Sequence, residues 1–212
     1  MLVNWEGIRA FFQTVKRPRI LLPHAKFPSF TDIPIGINSH LSRLYSGPVD
    51  IRGIVLDKDD CITLPDDNEI PKRNLEKLRE LQKQFGKSNI LLVSNSIGSK
   101  KQDPTGEEAA QFEARWEIPV LRHSKLKPLC EQEVWNYFQK STKVERPAQL
   151  LFIGDRLLTD STMANRMGAW SLWLHVGVQT SSGWMNKFEG KLYQTFQPMS
   201  PILPSTNRKN EK

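Results

Sequence analysis

Short apolar runs that end abruptly in acidic or hydroxyl residues alternate along this chain with stretches of helical period, and that alternation leaves few folds open. The runs IRGIVL at 51–56, NILLVS at 89–94, IPVLRH at 118–123, QLLFIGD at 149–155 and WSLWLHV at 170–176 have the length and β-branched or aromatic content of buried strands. Residues 71–85 open with Pro71, place Leu75, Leu78, Leu81 and Phe85 at helical spacing, and stop at Gly86. EEAAQFEARW at 107–116 and residues 128–140 also read as helices, as does 159–168 with Thr159 or Asp160 as its cap. Such alternation predicts an α/β fold: a Rossmann-like parallel sheet with helices on both faces.

In a sheet of this kind ligands sit beyond the carboxyl ends of the strands. Polar residues collect at those ends here. Asp57, Asp59 and Asp60 follow the first run, Ser94, Asn95 and Ser96 end the second, and Asp155 ends the fourth, with Asp160 one helical turn later. A buried strand running into D-K-D-D is costly unless the carboxylates are compensated. Two acidic clusters facing each other across a crevice suit a hard cation, and Mg²⁺ with a few protein oxygens fits. Phosphoryl transfer would use the remaining groups. It needs a nucleophile in line with the leaving oxygen, donors for the equatorial oxygens, and a group to manage the proton. A carboxylate can serve as nucleophile through an acyl phosphate. Ser94 and the amides after it offer donors, and Lys127 before Pro128 offers a fixed positive charge. Lys125 is the alternative lysine.

D57-x-D59, Ser94, Lys127 and G154-D155-x4-D160 resemble, in order and spacing, the four motifs of the haloacid dehalogenase-like phosphatases, across residues 51–176. The resemblance implies that Asp57 is the nucleophile and a metal ligand. It implies that Asp59 is the general acid/base and lends the metal its backbone carbonyl. Ser94 would then bind the phosphoryl group, with Asn95 and Asp60 beside it as candidate substrate-binding residues; Lys127 would steady phosphate and nucleophile, and Asp155 and Asp160 would hold Mg²⁺. The chain departs from the family in placing Cys61 where Thr or Val is usual. Neither Cys61 nor Cys130 is followed by Arg at the spacing of a cysteine phosphatase, so both read as packing thiols. Two cysteines without a zinc pattern fit an intracellular compartment. About 37 residues separate Asp57 from Ser94 and about 33 separate Ser94 from Lys127. Those intervals hold a helix and its connections but no sizeable cap domain, which leaves an open site suited to a bulky substrate.

The charge is unevenly placed. Residues 1–49 carry six basic against two acidic side chains and residues 187–212 carry five against two, so the whole excess of +7 lies at the ends. A nucleic-acid enzyme would concentrate its basic charge around the groove, so no nucleic-acid partner is expected. Trp5, Ile8, Phe12 and Val15 form one helical stripe flanked by Arg9 and Lys16 and followed by Arg17 and Arg19. That pattern predicts an interfacial helix on an anionic membrane surface, packing against the domain or another subunit being the alternative. Trp184, Phe188, Leu192 and Phe196 could do either job. No apolar run approaches the roughly 20 residues that span a bilayer, and residues 1–30 lack the pattern of a secretory signal. The division expected is a basic amphipathic segment over 1–49, a phosphatase domain over 50–197, and a tail over 198–212 without order.

The D57-K-D-D60 loop, V93-S-N-S96, and G154-D-R156…T159-D160 with M163-A-N-R-M-G-A169 also resemble the mitochondrial phosphatidylglycerophosphate phosphatases of fungi and their bacterial and plant relatives. That likeness implies a phospholipid substrate, phosphatidylglycerophosphate, converted to phosphatidylglycerol on the route to cardiolipin. It implies a peripheral enzyme on the matrix side of the mitochondrial inner membrane. The chemistry rests on the residues, the lipid on the likeness. A homo-oligomer would lend a weak interfacial helix avidity. A soluble phosphatase of sugar or nucleotide monophosphates shares every catalytic residue, and a non-catalytic membrane-associated assembly module would use only the ends.

Overall fold

The computed structural model describes residues 17–178 and 184–205. The stripe of Trp5, Ile8, Phe12 and Val15 lies outside the described residues. Five parallel strands, β1 (Ala25–Phe27), β2 (Gly53–Leu56), β3 (Ile90–Leu92), β4 (Leu150–Gly154) and β5 (Trp170–Leu174), form one sheet in the order β1-β5-β4-β2-β3. The helices are α1 (Ile37–Tyr45), α2 (Lys72–Phe85), α3 (Glu107–Trp116), α4 (Glu131–Ser141), α5 (Thr162–Met167) and α6 (Trp184–Phe196).

The period of two along each strand divides the core. Ile54, Leu56, Ile90, Leu92, Leu151 and Ile153 face one way, onto Ile37 and Leu41 of α1, Leu78 and Leu81 of α2, and Phe112 of α3. Val55, Leu91, Leu150 and Phe152 face the other way, onto Val134 and Phe138 of α4 and Met163 of α5. Each such side chain contributes about 1.5–3 kcal/mol relative to exposure. The expected α/β class with helices on both faces is the observed one, and among the described residues no cap folds over the strand ends.

The fifth strand differs from the expected one. Residues 118–123 make only isolated bridges, Val120 beside Leu92 and His123 beside Ser99. Pro119 accepts from Leu92 N at 2.8 Å but has no N–H to return, so the ladder cannot extend. The sheet instead gains β1 at its opposite edge, from the segment read as a basic extension. Residues 17–45 are built into the domain: Asn165 Nδ2 donates to the carbonyls of Ile20 and Leu22 at 2.7 and 2.9 Å.

The segment expected to lack order is also tied down where it is described. Arg19 donates to the carbonyls of Ser200 and Pro201, and the buried His24 joins the tail to the sheet. Its Nε2 lies 2.9 Å from Ile202 O while Nδ1 accepts from Ser171 N at 3.0 Å. Burial lowers the His24 pKa to about 4, so the neutral ring with a proton on Nε2 serves both contacts. On α6, Leu192, Tyr193 and Phe196 pack against Leu21, Leu157 and Trp173, and Phe188 stays 37% exposed. No helix among the described residues is long and apolar enough to cross a membrane.

Candidate active site

The strand order reverses between β2 and β4: the chain leaves β2 for β3 on one side and returns to β4 on the other. A crevice opens beyond the carboxyl ends at such a point. Leu56 and Ile153 are in register, and Asp57 N donates to Ile153 O at 2.9 Å, so Asp57 and Asp155 leave adjacent strands together. Asp160 reaches the same spot from a π-helical turn, Leu157–Ser161, ahead of α5. One carboxylate oxygen from each of Asp57, Asp155 and Asp160 lies within 4.8 Å of the others, and all three residues are buried.

Lys127 is the cation of this cluster. Its Nζ stands 2.6 Å from Asp57 Oδ1 and 2.8 Å from Asp160 Oδ1, whereas Lys125 is exposed. Burial works against the ammonium, but Asp160 and Asp57 together push its pKa well up. The carboxylates are less well served. Burial raises Asp57 to about 6 against the pull of Lys127, and burial, then Asp57 and Asp160, raises Asp155 well above the usual range. Asp155 Oδ1 is buried with no hydrogen-bond partner among the described residues. Three carboxylates gathered around one ammonium give an all-oxygen donor set with too little positive charge to compensate it, and one oxygen left over among the described residues. A divalent hard cation fits that set.

The loop after β2 folds around one carbonyl: the N–H groups of Cys61, Ile62 and Thr63 all donate to Lys58 O. This turn sends Asp57 and Asp59 apart. Asp59 leaves the carboxylate cluster; its Oδ2 accepts from Ser96 Oγ at 2.6 Å and its Oδ1 pairs with Lys58 Nζ at 2.6 Å. Lys58, 1% exposed, also donates to Asp67 O, so it braces the acid/base candidate from behind. Sequence reading passed over it, although a lysine flanked by carboxylates was the available signal. Cys61 packs against Ile153 O, and burial raises its thiol well above the ordinary pKa, which suits packing.

The other expected substrate contacts lie at different depths. Asn95 and Ser96 line the cavity, and Asn95 Oδ1 also accepts Lys127 N at 2.8 Å, which links the lysine to the end of β3. Ser94 sits one layer back, its hydroxyl 2.7 Å from that of Ser96 and accepting from Ser96 N. Asp60 is not in the lining. It adopts φ 55°, and its Oδ1 accepts Val178 N at 3.0 Å. A side chain on Gly177, at φ 75°, would stand 2.7 Å from Asp60 O, so these two residues lock the loop after β5 to the loop after β2. Thr159 and Asp160 do not cap the helix as expected. Glu189 of α6 does so, its carboxylate accepting Leu157 N at 3.2 Å and Leu158 N at 3.0 Å.

The cavity is open, about 490 Å³, and its lining includes Asp57, Asp59, Asn95, Ser96, Lys127 and Arg156, together with Pro65, Asp66, Gln102, Glu108 and Thr159. A buried carboxylate with its lysine and metal-fitting partners, and a second carboxylate outside that cluster in the same cavity lining, is an arrangement that can transfer a phosphoryl group.

Comparison with known proteins agrees in class. Residues 5–179 match the family model described as mitochondrial PGP phosphatase. The chain is 51% identical over 210 residues to the probable phosphatidylglycerophosphatase, mitochondrial, of Schizosaccharomyces pombe, covering 99% of this chain and 100% of that protein. It is 35% identical over 191 residues to Phosphatidylglycerophosphatase GEP4, mitochondrial, of Saccharomyces cerevisiae, covering 90% and 97%. It is 35% identical over 185 residues to Phosphatidylglycerophosphate phosphatase 1, chloroplastic, of Chlamydomonas reinhardtii, covering 85% of this chain and 62% of that protein. No solved structure matches the chain.

Proposed function

The chain belongs to the mitochondrial PGP phosphatase family, which are phosphoric monoester hydrolases, and we propose that it hydrolyses phosphatidylglycerophosphate to phosphatidylglycerol through a phospho-aspartate on Asp57. The observation that carries the chemistry is the division of labour between two carboxylates. Asp57 is buried in the cluster with Lys127, Asp155 and Asp160, while Asp59 is held outside that cluster by Lys58 and Ser96.

In the first half-reaction a carboxylate oxygen of Asp57 attacks phosphorus and the bond from phosphorus to the glycerol oxygen breaks. Asp59 delivers the proton that the departing alkoxide needs. In the second, Asp59 takes a proton from water as its oxygen attacks phosphorus, and the acyl phosphate bond breaks to release inorganic phosphate and free Asp57. Lys127 neutralises charge on Asp57 and on the transferring group, and the Asn95 amide and neighbouring backbone N–H groups offer donors to its oxygens. Mg²⁺ held by Asp57, Asp155 and Asp160, with the Asp59 carbonyl as a further ligand, would offset the remaining negative charge and polarise a phosphoryl oxygen.

The product would feed cardiolipin synthesis, and the working place we assign is the matrix face of the mitochondrial inner membrane, with peripheral attachment through residues 1–16. The strand ends that no cap covers among the described residues support a substrate presented at a surface. Phosphate release from phosphatidylglycerophosphate in anionic vesicles, compared with sugar and nucleotide monophosphates, tests the reading. The lipid should be preferred, chelator should abolish turnover, and excess Ca²⁺ should inhibit because its looser coordination spoils the in-line geometry. Equal rates on the soluble esters would favour a general soluble phosphatase; full activity in chelator would mean that the acidic cluster has been misread.

A further inference from the structure

Resting on that substrate reading, we propose that Arg156 is a specificity-determining residue that binds the phosphodiester of the substrate while Asp57 attacks its terminal phosphate. Phosphatidylglycerophosphate carries two phosphates joined by a three-carbon glycerol bridge. One is the monoester to be removed and the other is the diester that leads to the lipid. A site that places the monoester on Asp57 must accommodate a second anion nearby.

The cavity lining offers two cations, Lys127 and Arg156. Lys127 is committed: its side chain is 3% exposed and pairs with both Asp57 and Asp160. Arg156 is placed differently. It follows Asp155 directly, its side chain is 52% exposed, and its one ion-pair contact among the described residues is long, Nε to Asp155 Oδ2 at 3.8 Å. Its terminal nitrogens make no hydrogen bond among the described residues, so the guanidinium fork is available for two parallel bonds to phosphate oxygens.

The rest of the lining narrows the choice. Asp66, from the loop after β2, and Glu108, from the first turn of α3, are acidic members of the lining. A second anion beside either of them would be repelled. Thr159, one turn beyond Arg156, is a neutral member of the same lining. Charge therefore directs the diester toward Arg156 once the monoester occupies the Asp57 end.

The test uses the full chain with Mg²⁺ and two water-soluble esters, so that membrane binding does not enter. One is glycerophosphoglycerophosphate, the deacylated headgroup with both phosphates, and the other is glycerol 3-phosphate with the monoester alone. The wild-type protein should prefer the first. Arg156→Gln should lose about tenfold or more in kcat/KM on the two-phosphate ester beyond any loss on glycerol 3-phosphate, chiefly through KM, and Arg156→Lys should recover part of the difference. Equal losses on both esters, with a shifted Mg²⁺ requirement, would overturn the assignment and mean that Arg156 acts through Asp155. A retained preference in Arg156→Gln would overturn it as well while leaving the substrate reading intact. A wild-type protein without the preference, and without activity on phosphatidylglycerophosphate, would overturn both.

Discussion

Gly154 and Asp160 approach so closely that a Cβ on the glycine would lie 2.3 Å from an Asp160 carboxylate oxygen. Gly154 is the last residue of β4, and the missing side chain is the space into which Asp160 folds back toward Lys127. Gly154→Ala should therefore move the carboxylate rather than unfold the sheet. A displacement of about 1 Å in a catalytic group can cost on the order of 100-fold in rate. Far-ultraviolet circular dichroism close to wild type with turnover lowered by about that factor is the expected pair of results. Wild-type turnover would mean that Asp160 tolerates the shift and is not closely positioned.

Asp57→Asn should abolish turnover while the apo protein remains at least as stable near pH 8. The sign follows from burial. The folded pKa of Asp57 is raised to about 6, above the ordinary carboxylate value, so ionisation costs stability as pH rises through that range. An amide removes the cost, and Lys127 keeps Asp160 as its partner at 2.8 Å. Thermal melts in chelator measure the stability. Rapid acid quench with labelled substrate should trap phosphate on the wild-type protein and none on the variant.

Glu189 gives a pH signature of its own. Burial raises its pKa to about 7, with the bonds from Leu158 and Leu157 pulling the other way. Between the ordinary value near 4.5 and about 7 the folded state holds a proton that the unfolded chain has lost, so this group makes stability fall as pH rises across that window. Glu189→Gln should flatten that part of the apo stability curve. Glu189→Ala should cost about 2–5 kcal/mol, because two buried N–H groups lose their acceptor. A slope unchanged in Glu189→Gln would assign the titration to another group.

Removal of residues 1–16 should weaken binding to anionic vesicles and leave a smaller salt dependence in what remains. Charges near a surface are screened within about 8 Å at physiological ionic strength. The cut stops short of Arg19, which holds the tail through Ser200 and Pro201. Co-sedimentation across a salt series reads the binding, and hydrolysis of a soluble ester reports whether the domain is intact. Undiminished binding would return residues 1–16 to a packing role and point to the C-terminal region around the exposed Phe188.

Much of this protein is legible in its sequence. Hydrophobic period and strand-end chemistry are local, so IRGIVL into Asp57 and LLFIG into Asp155 announce both the parallel sheet and the acidic crevice. The elements missed are those whose signal is not local. β1 has three residues, Ala25–Phe27, too few to show a period, and exists because β5 offers it an edge. IPVLRH has the composition of a strand but carries Pro119, whose missing N–H leaves its pairing with β3 at the single bridge between Val120 and Leu92.

The residues themselves determined the fold class, the positions of the four carboxylates Asp57, Asp59, Asp155 and Asp160, and the need for a compensating cation, because each follows from chain-local chemistry. Tertiary structure decided which lysine meets them. Lys125 and Lys127 are two residues apart, yet Lys127, its backbone held by Asn95, pairs inward with Asp57 and Asp160 while Lys125 stays in solvent. It also decided that Asp60 braces the loop after β5, that Glu189 caps the turn bearing Asp160, and that Arg156 faces the cavity. Each of these depends on groups distant in sequence meeting across a packed interior, and their complementarity appears only when the sheet and its helices are assembled.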